Sequence, residues 1–177
     1  MADFPSVITR DGDLGILSPF VGTPLGEMMA IANNSCSNVS TTWTANRAVY
    51  FPVCVNRPLT VYDIGIVVVT QNGNVDAGFY TWSGTRIVSN GGTAVGAAGA
   101  QVLTLADTVL TPGWYHLGFA CSSATAVFKA CNLATPAARA GGVQQQSSAY
   151  PLPDPMTPAA YSVGIFPQIS ASIRSVF

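Results

Sequence analysis

One histidine (His116), four cysteines and eight acidic residues are the side chains from which acid–base or metal chemistry would have to be built in this chain. Such chemistry needs carboxylates or imidazoles that converge on one point. Here the acids are spread along the sequence, and Asp11-Gly12-Asp13 is the one close pair. It resembles the opening of a calcium loop but lacks the glycine at the sixth position and the later glutamate, so a solvated turn is expected. The cysteines, Cys36, Cys54, Cys121 and Cys131, form no C-x-x-C pair. With a single histidine in the chain, a structural zinc site is not expected. Buried free thiols are the expectation, with a Cys121–Cys131 bridge as the alternative if those two residues face each other on adjacent strands. His116 lies between Tyr115 and Leu117 in a strand-like run, and no G-x-S-x-G elbow accompanies it. A hydrogen-bonded sheet residue is expected there, with a hydrolase using His116 as a distant third reading of function. No glycine-rich phosphate motif follows a strand and opens a helix. The expectation is therefore no catalytic residue, no cofactor and no metal.

The aromatic residues are the other candidate chemistry. Tyr50, Tyr62, Phe79, Tyr80, Trp82, Trp114, Tyr115 and Phe119 all fall in strand-like segments. Large aromatics either fill cores and subunit interfaces or form platforms that grip sugar rings. Trp82, Trp114 and Tyr115 are the candidate glycan or interface contacts.

The elements that must position these residues belong to a chain with very little charge. Charged residues make up 8% of it, with one lysine (Lys129) and one glutamate (Glu27), where soluble domains carry about 25%. The seven basic residues are scattered and the net charge is −1, so no nucleic-acid footprint is present. The apolar runs Ile64–Val69 and Val95–Ala106 are too short or too interrupted for a spanning helix, and no membrane partner is expected. Met1-Ala2-Asp3-Phe4-Pro5 lacks a basic and apolar leader, from which synthesis and folding in a cytoplasm are expected. Surface committed to other protein subunits is the expected origin of the low charge.

The fold class expected is all-β: an antiparallel, jelly-roll-like β-sandwich with an extended N-terminal arm. Residues 1–46 read as an arm or docking segment, with turn formers at short intervals and a short helix over Pro24–Asn33. Residues 47–177 read as the sandwich. Ala48–Val55 is a strand whose Pro52 predicts an edge position or a bulge. Leu59–Val69 begins by alternating and ends as a β-branched run, which predicts a central strand covered on both faces. Gln71-Asn72-Gly73-Asn74 predicts a type I′ hairpin into Val75–Trp82. Ser83-Gly84-Thr85 predicts a turn into Arg86–Ser89. Leu110-Thr111-Pro112-Gly113 predicts a tight reversal into the His116 strand. About seven strands spaced by turns over 47–133 give a sandwich or barrel. A proline-rich loop follows at 134–168, then a closing strand at 169–177 with Ile169, Ala171 and Ile173 on one face.

One stretch goes beyond generic patterning. It comprises Arg47–Val53, Leu59–Gly65, Asp76-Ala77-Gly78-Phe79-Tyr80, Gly84-Thr85-Arg86-Ile87-Val88-Ser89 and Leu110-Thr111-Pro112-Gly113-Trp114-Tyr115-His116-Leu117. Over roughly residues 47 to 120 this resembles the small β-sandwich modules on virions of tailed bacteriophages: capsid decoration proteins, head fibres and tail-fibre modules. The resemblance implies a homotrimer or larger assembly without enzyme activity. Such a subunit would be located on the virion, assembled in the host cytoplasm, and in contact with the major capsid protein or other virion proteins. The alternative expectation is a carbohydrate-binding module of a tail fibre that recognises host glycan.

Overall fold

The structure is a computed structural model that describes residues 16–17, 28–31, 39–132, 138–139, 141–162 and 165–175. The Asp11-Gly12-Asp13 pair lies outside them. Fifteen strands are described: β1 (Ile16–Leu17), β2 (Met28–Ile31), β3 (Val39–Thr42), β4 (Arg47–Val55), β5 (Leu59–Thr70), β6 (Asn74–Thr81), β7 (Arg86–Ser89), β8 (Thr93–Ala94), β9 (Gly99–Leu110), β10 (Gly113–Cys121), β11 (Val127–Asn132), β12 (Gln144–Gln146), β13 (Ala159–Ala160), β14 (Ile165–Pro167) and β15 (Ile169–Ser175). They form two antiparallel sheets packed face to face. Sheet A runs β13-β12-β4-β10-β6-β7, with β1 also on β4 and β8 also on β6. Sheet B runs β14-β11-β5-β15-β2, with β3 on β11 and β9 on β5. The all-β antiparallel sandwich is therefore the fold.

Alternation along the strands builds the core. Val49, Phe51, Val53 and Val55 of β4, with Phe79 of β6 and Leu117 and Phe119 of β10, face Leu59, Ile64, Ile66 and Val68 of β5 across the gap. Leu103, Leu105 and Leu110 of β9, Phe128 of β11 and Ile169, Ala171 and Ile173 of β15 complete the sheet B side. Trp43 sits edge-on to Phe119 at 5.2 Å and to Phe128 at 6.4 Å, and Phe119 sits edge-on to Phe128 at 5.3 Å. These three rings join the two sheets with the perpendicular geometry that aromatic quadrupoles favour.

Several expectations are corrected. Met28–Ile31 is a strand paired antiparallel with β15, not part of a helix over Pro24–Asn33. The rest of that predicted helix lies outside the described residues. Strands from the first 46 residues enter both sheets, since β1 pairs with β4, β2 with β15 and β3 with β11. Pro52 lies in a strand flanked on both sides, not at an edge. It pairs with His116 on β10. On the other side β12 ends its ladder at Tyr50 and β1 begins at Cys54. The proline thus falls where the ladder is interrupted, which meets its lack of an N–H donor.

The Asn72-Gly73 turn is no hairpin, because β5 belongs to sheet B and β6 to sheet A. Gly73 alone takes a positive φ, 66°, whereas a type I′ turn needs two. A side chain there would meet Ser123 and Ser122 at 2.7 and 2.8 Å. Leu110–Gly113 likewise carries the chain from sheet B to sheet A. The Ser83–Thr85 turn does join hydrogen-bonded neighbours, β6 and β7.

In β5 the inward parity changes, from Leu59 and Val61 to Ile64, Ile66 and Val68. The cause is a bulge between Val61 and Asp63, where the ladder to β9 slips. The run that was expected to be covered on both faces is a one-sided strand after a bulge. Val67 and Val69 are half-buried.

Candidate functional site

The outer face of sheet A is where the candidate residues are decided. Its central row is Tyr50, Gly118 and Gly78 across β4, β10 and β6. A Cβ on Gly118 would lie 3.1 Å from both the Tyr50 and Tyr80 rings. The two phenols meet edge to face at 5.4 Å, and the glycine leaves room for them. Ala149, Leu152 and Met156 lie over these rings and over Ala48 and Ala120 as a second, smaller core. The proline-rich segment is thus a lid on the outer face of sheet A.

Asp76 anchors that lid. It is fully buried. Its Oδ2 accepts the Leu152 N–H at 2.9 Å and its Oδ1 accepts the Gly91 N–H at 3.2 Å. Burial pushes its carboxyl above the usual carboxylate range. The Leu152 and Gly91 N–H groups, the Ser89 side chain and the Arg86 charge act against that rise. Arg86 donates from Nη1 to the Leu152 carbonyl at 2.6 Å, and its backbone N–H donates to Asp154 Oδ1 at 2.9 Å. The Tyr80 hydroxyl donates to the Pro153 carbonyl at 2.7 Å, and burial holds that phenol far above its ordinary range.

Beyond the lid the same face is open, and there Trp82 and Trp114 are 55% and 48% exposed. The last ladder pair of β6 and β10 at this end is Thr81 with Tyr115, so Trp82 and Trp114 fall opposite each other one step further on. Their ring centroids are 5.8 Å apart with planes tilted by 54°. His116, two residues along β10 from Trp114, points to the same face and stacks flat against Trp82, at 4.5 Å and 6°. The imidazole is 3% exposed. Burial lowers its pKa to about 4, against a small opposing effect of a hydrogen bond with the Trp82 backbone. Nδ1 is buried without a partner. His116 is therefore a neutral ring that fixes the orientation of Trp82.

Tyr115, grouped with the two tryptophans from the sequence, is on the opposite face. It packs half-buried against the main core and its hydroxyl donates to the Thr111 carbonyl at 2.8 Å. Of the other aromatic candidates, Tyr50, Phe79, Tyr80 and Phe119 are fully buried and Tyr62 is half-buried. Cys121 is a buried free thiol, so it is not bridged to Cys131, and Cys54 is free as well. Among the described residues, no three His, Cys, Asp or Glu side chains gather to hold a metal, and no helix is long and apolar enough to cross a membrane. The contribution of His116 and the anchoring by Asp76 were missed from sequence. The signal for His116 was its spacing of two from Trp114 on one strand.

The fold and this surface define a two-sheet antiparallel β-sandwich with an aromatic platform beside a proline-rich lid. No family model, curated protein or solved structure matches the chain.

Proposed function

We propose that the chain is a non-enzymatic structural component of a bacteriophage virion. It would be an oligomeric decoration or fibre subunit that packs against copies of itself and against the major capsid protein, assembled in the host cytoplasm. The observation that carries this reading is β9. Among the described residues this twelve-residue strand forms a ladder with β5 only, while β7 and the Ala94–Gly96 segment lie alongside part of it. Long open edges are normally blunted by lysine, proline or shortness. β9 has no lysine and no proline, and its one charged residue is Asp107. Beside the edge it exposes Val102 at 62% and Val109 at 56%. A strand from a second copy satisfies the free backbone groups and covers these valines. The scarcity of charge in the whole chain is the composition expected of a subunit that buries much of its surface in an assembly.

Light scattering on the eluting protein at micromolar concentration tests it. A trimer or larger species is expected, and the double variant Val102→Lys, Val109→Lys should dissociate at least tenfold more readily. A wild-type protein that stays monomeric overturns the reading.

A further inference from the structure

We propose that Trp82 and Trp114 form a binding platform for an uncharged sugar ring, with His116 as the positioning residue behind Trp82. The site is on the outer face of sheet A, whereas the proposed assembly edge, β9, belongs to sheet B. The two readings therefore stand or fall separately.

Three observations lead to a sugar as the occupant. The first is size. A tryptophan offers about 150–250 Å², so two half-exposed indoles present on the order of 200 Å². A stable protein interface needs about 800 Å² from each partner. The patch is far too small for that, but it matches the apolar C–H face of one or two pyranose rings. The second is charge. The turns that carry the platform, Trp82-Ser83-Gly84-Thr85 and Thr111-Pro112-Gly113-Trp114, contain no charged residue. The nearest cation in sequence, Arg86, is held by the Leu152 carbonyl, and Arg57, two residues beyond the Val55 that pairs with Gly113, has an interaction of its own. Nucleic acid would need cations for its phosphates, and an acidic sugar would need one for its carboxylate. The exposed hydroxyl residues in the same turns, Ser83, Thr85 and Thr111, suit a neutral polyol. The third is rigidity. The flat stack on a buried imidazole presets the Trp82 plane, so little side-chain freedom remains to be lost on binding. Two rings tilted by 54° make a shallow V, which accepts a ring on one indole and its glycosidic neighbour on the other.

The chain has three tryptophans, and the third, Trp43, is 5% exposed. Acrylamide quenching of tryptophan fluorescence therefore reads Trp82 and Trp114 almost alone. The experiment probes an array of neutral and sialylated glycans with wild-type protein, Trp82→Ala, Trp114→Ala and His116→Ala, and follows with quenching in the presence of the best neutral oligosaccharide. Expected are wild-type binding to neutral glycans, at least tenfold loss in either tryptophan variant, and protection of the two exposed indoles from quencher. His116→Ala should weaken binding several-fold, and His116→Phe, which keeps a flat ring behind Trp82, should restore it. Unchanged circular dichroism in the tryptophan variants separates loss of binding from loss of fold. Absence of any neutral glycan from the array, or binding that survives both tryptophan substitutions, overturns the proposal. So does dissociation of the wild-type assembly by Trp82→Ala or Trp114→Ala, because the patch would then be a subunit interface.

Discussion

At the scale of single residues, two buried ionisable groups give the molecule opposing responses to acid. The folded state holds His116 neutral, with a pKa lowered to about 4. The unfolded chain takes up the proton near its ordinary value, so stability falls as pH drops from about 6.5 to about 4. Linkage puts that loss at about 3 kcal/mol. Asp76 works the other way. Its carboxyl is raised by burial, so its ionised form is disfavoured in the folded state. Its contribution to stability is complete below the ordinary carboxylate value and is lost as pH rises through the folded one. Urea unfolding of wild type and His116→Phe at pH 7 and pH 4 separates the two. Relative to the variant, wild type is expected to lose about 3 kcal/mol on acidification. At pH 7 the variant is expected to lie within about 1 kcal/mol of wild type, because it removes the unpartnered Nδ1 but also loses the hydrogen bond with the Trp82 backbone. Asp76→Asn is expected to cost about 1–3 kcal/mol at pH 7, because one amide N–H would face a backbone N–H of Leu152 or Gly91. It should also flatten the opposing acid response.

At the scale of elements, the outer face of sheet A depends on glycines where rings or a neighbouring strand come close. A Cβ on Gly78 would run into the Val88 carbonyl oxygen and lie 2.6 Å from Ser89 Cβ, in the neighbouring strand β7. Backbone cannot yield as a flexible side chain would. Gly78→Ala is expected to destabilise by about 2–3 kcal/mol, read as a lower urea midpoint at unchanged slope. The lid has its own anchor in Leu152, which is 1% exposed. Leu152→Ala is expected to cost about 2–5 kcal/mol. Proteolysis under native conditions should then cut first within 149–156, where the lost contacts were. Period-two patterning made the strands themselves legible, and β15 follows it with Ile169, Ala171 and Ile173 inward. The pattern did not say which strand lies beside which. Asn72-Gly73 and Pro112-Gly113 are turn chemistry in either case, and whether the next strand pairs with the last or crosses to the other sheet depends on contacts far away in the chain. The helix expected over Pro24–Asn33 failed at its described residues, Met28–Ile31, for a related reason. Short apolar runs carry no periodicity that separates strand from helix, and β15 captured Met28–Ile31.

At the scale of the whole molecule, the two sheets are held by one core and joined by the rings of Trp43, Phe119 and Phe128. Phe128→Ala removes the sheet B member of that cluster and is expected to cost about 3–5 kcal/mol, measured by thermal or urea unfolding. The involvement of β2 in sheet B also changes the design of truncations. Removing residues 1–33 would strip β1 from β4 and β2 from β15 as well as any docking segment, so a cut before Ile16 is the better test of attachment. By itself the sequence determined that this is a low-charge, all-β sandwich, because alternating burial is a local property of each strand and composition is a property of the whole chain. It also pointed to the aromatics of the strands as the candidate contacts. Only the tertiary structure decided that Trp82 and Trp114 meet while Tyr115 turns away, that part of the proline-rich segment packs over Tyr50 and Tyr80 on one sheet, and that β9 has β5 as its one ladder partner among the described residues. Those outcomes depend on which strands become neighbours. Neighbours are set by packing between residues far apart in the chain, about which the pattern within any one strand is silent.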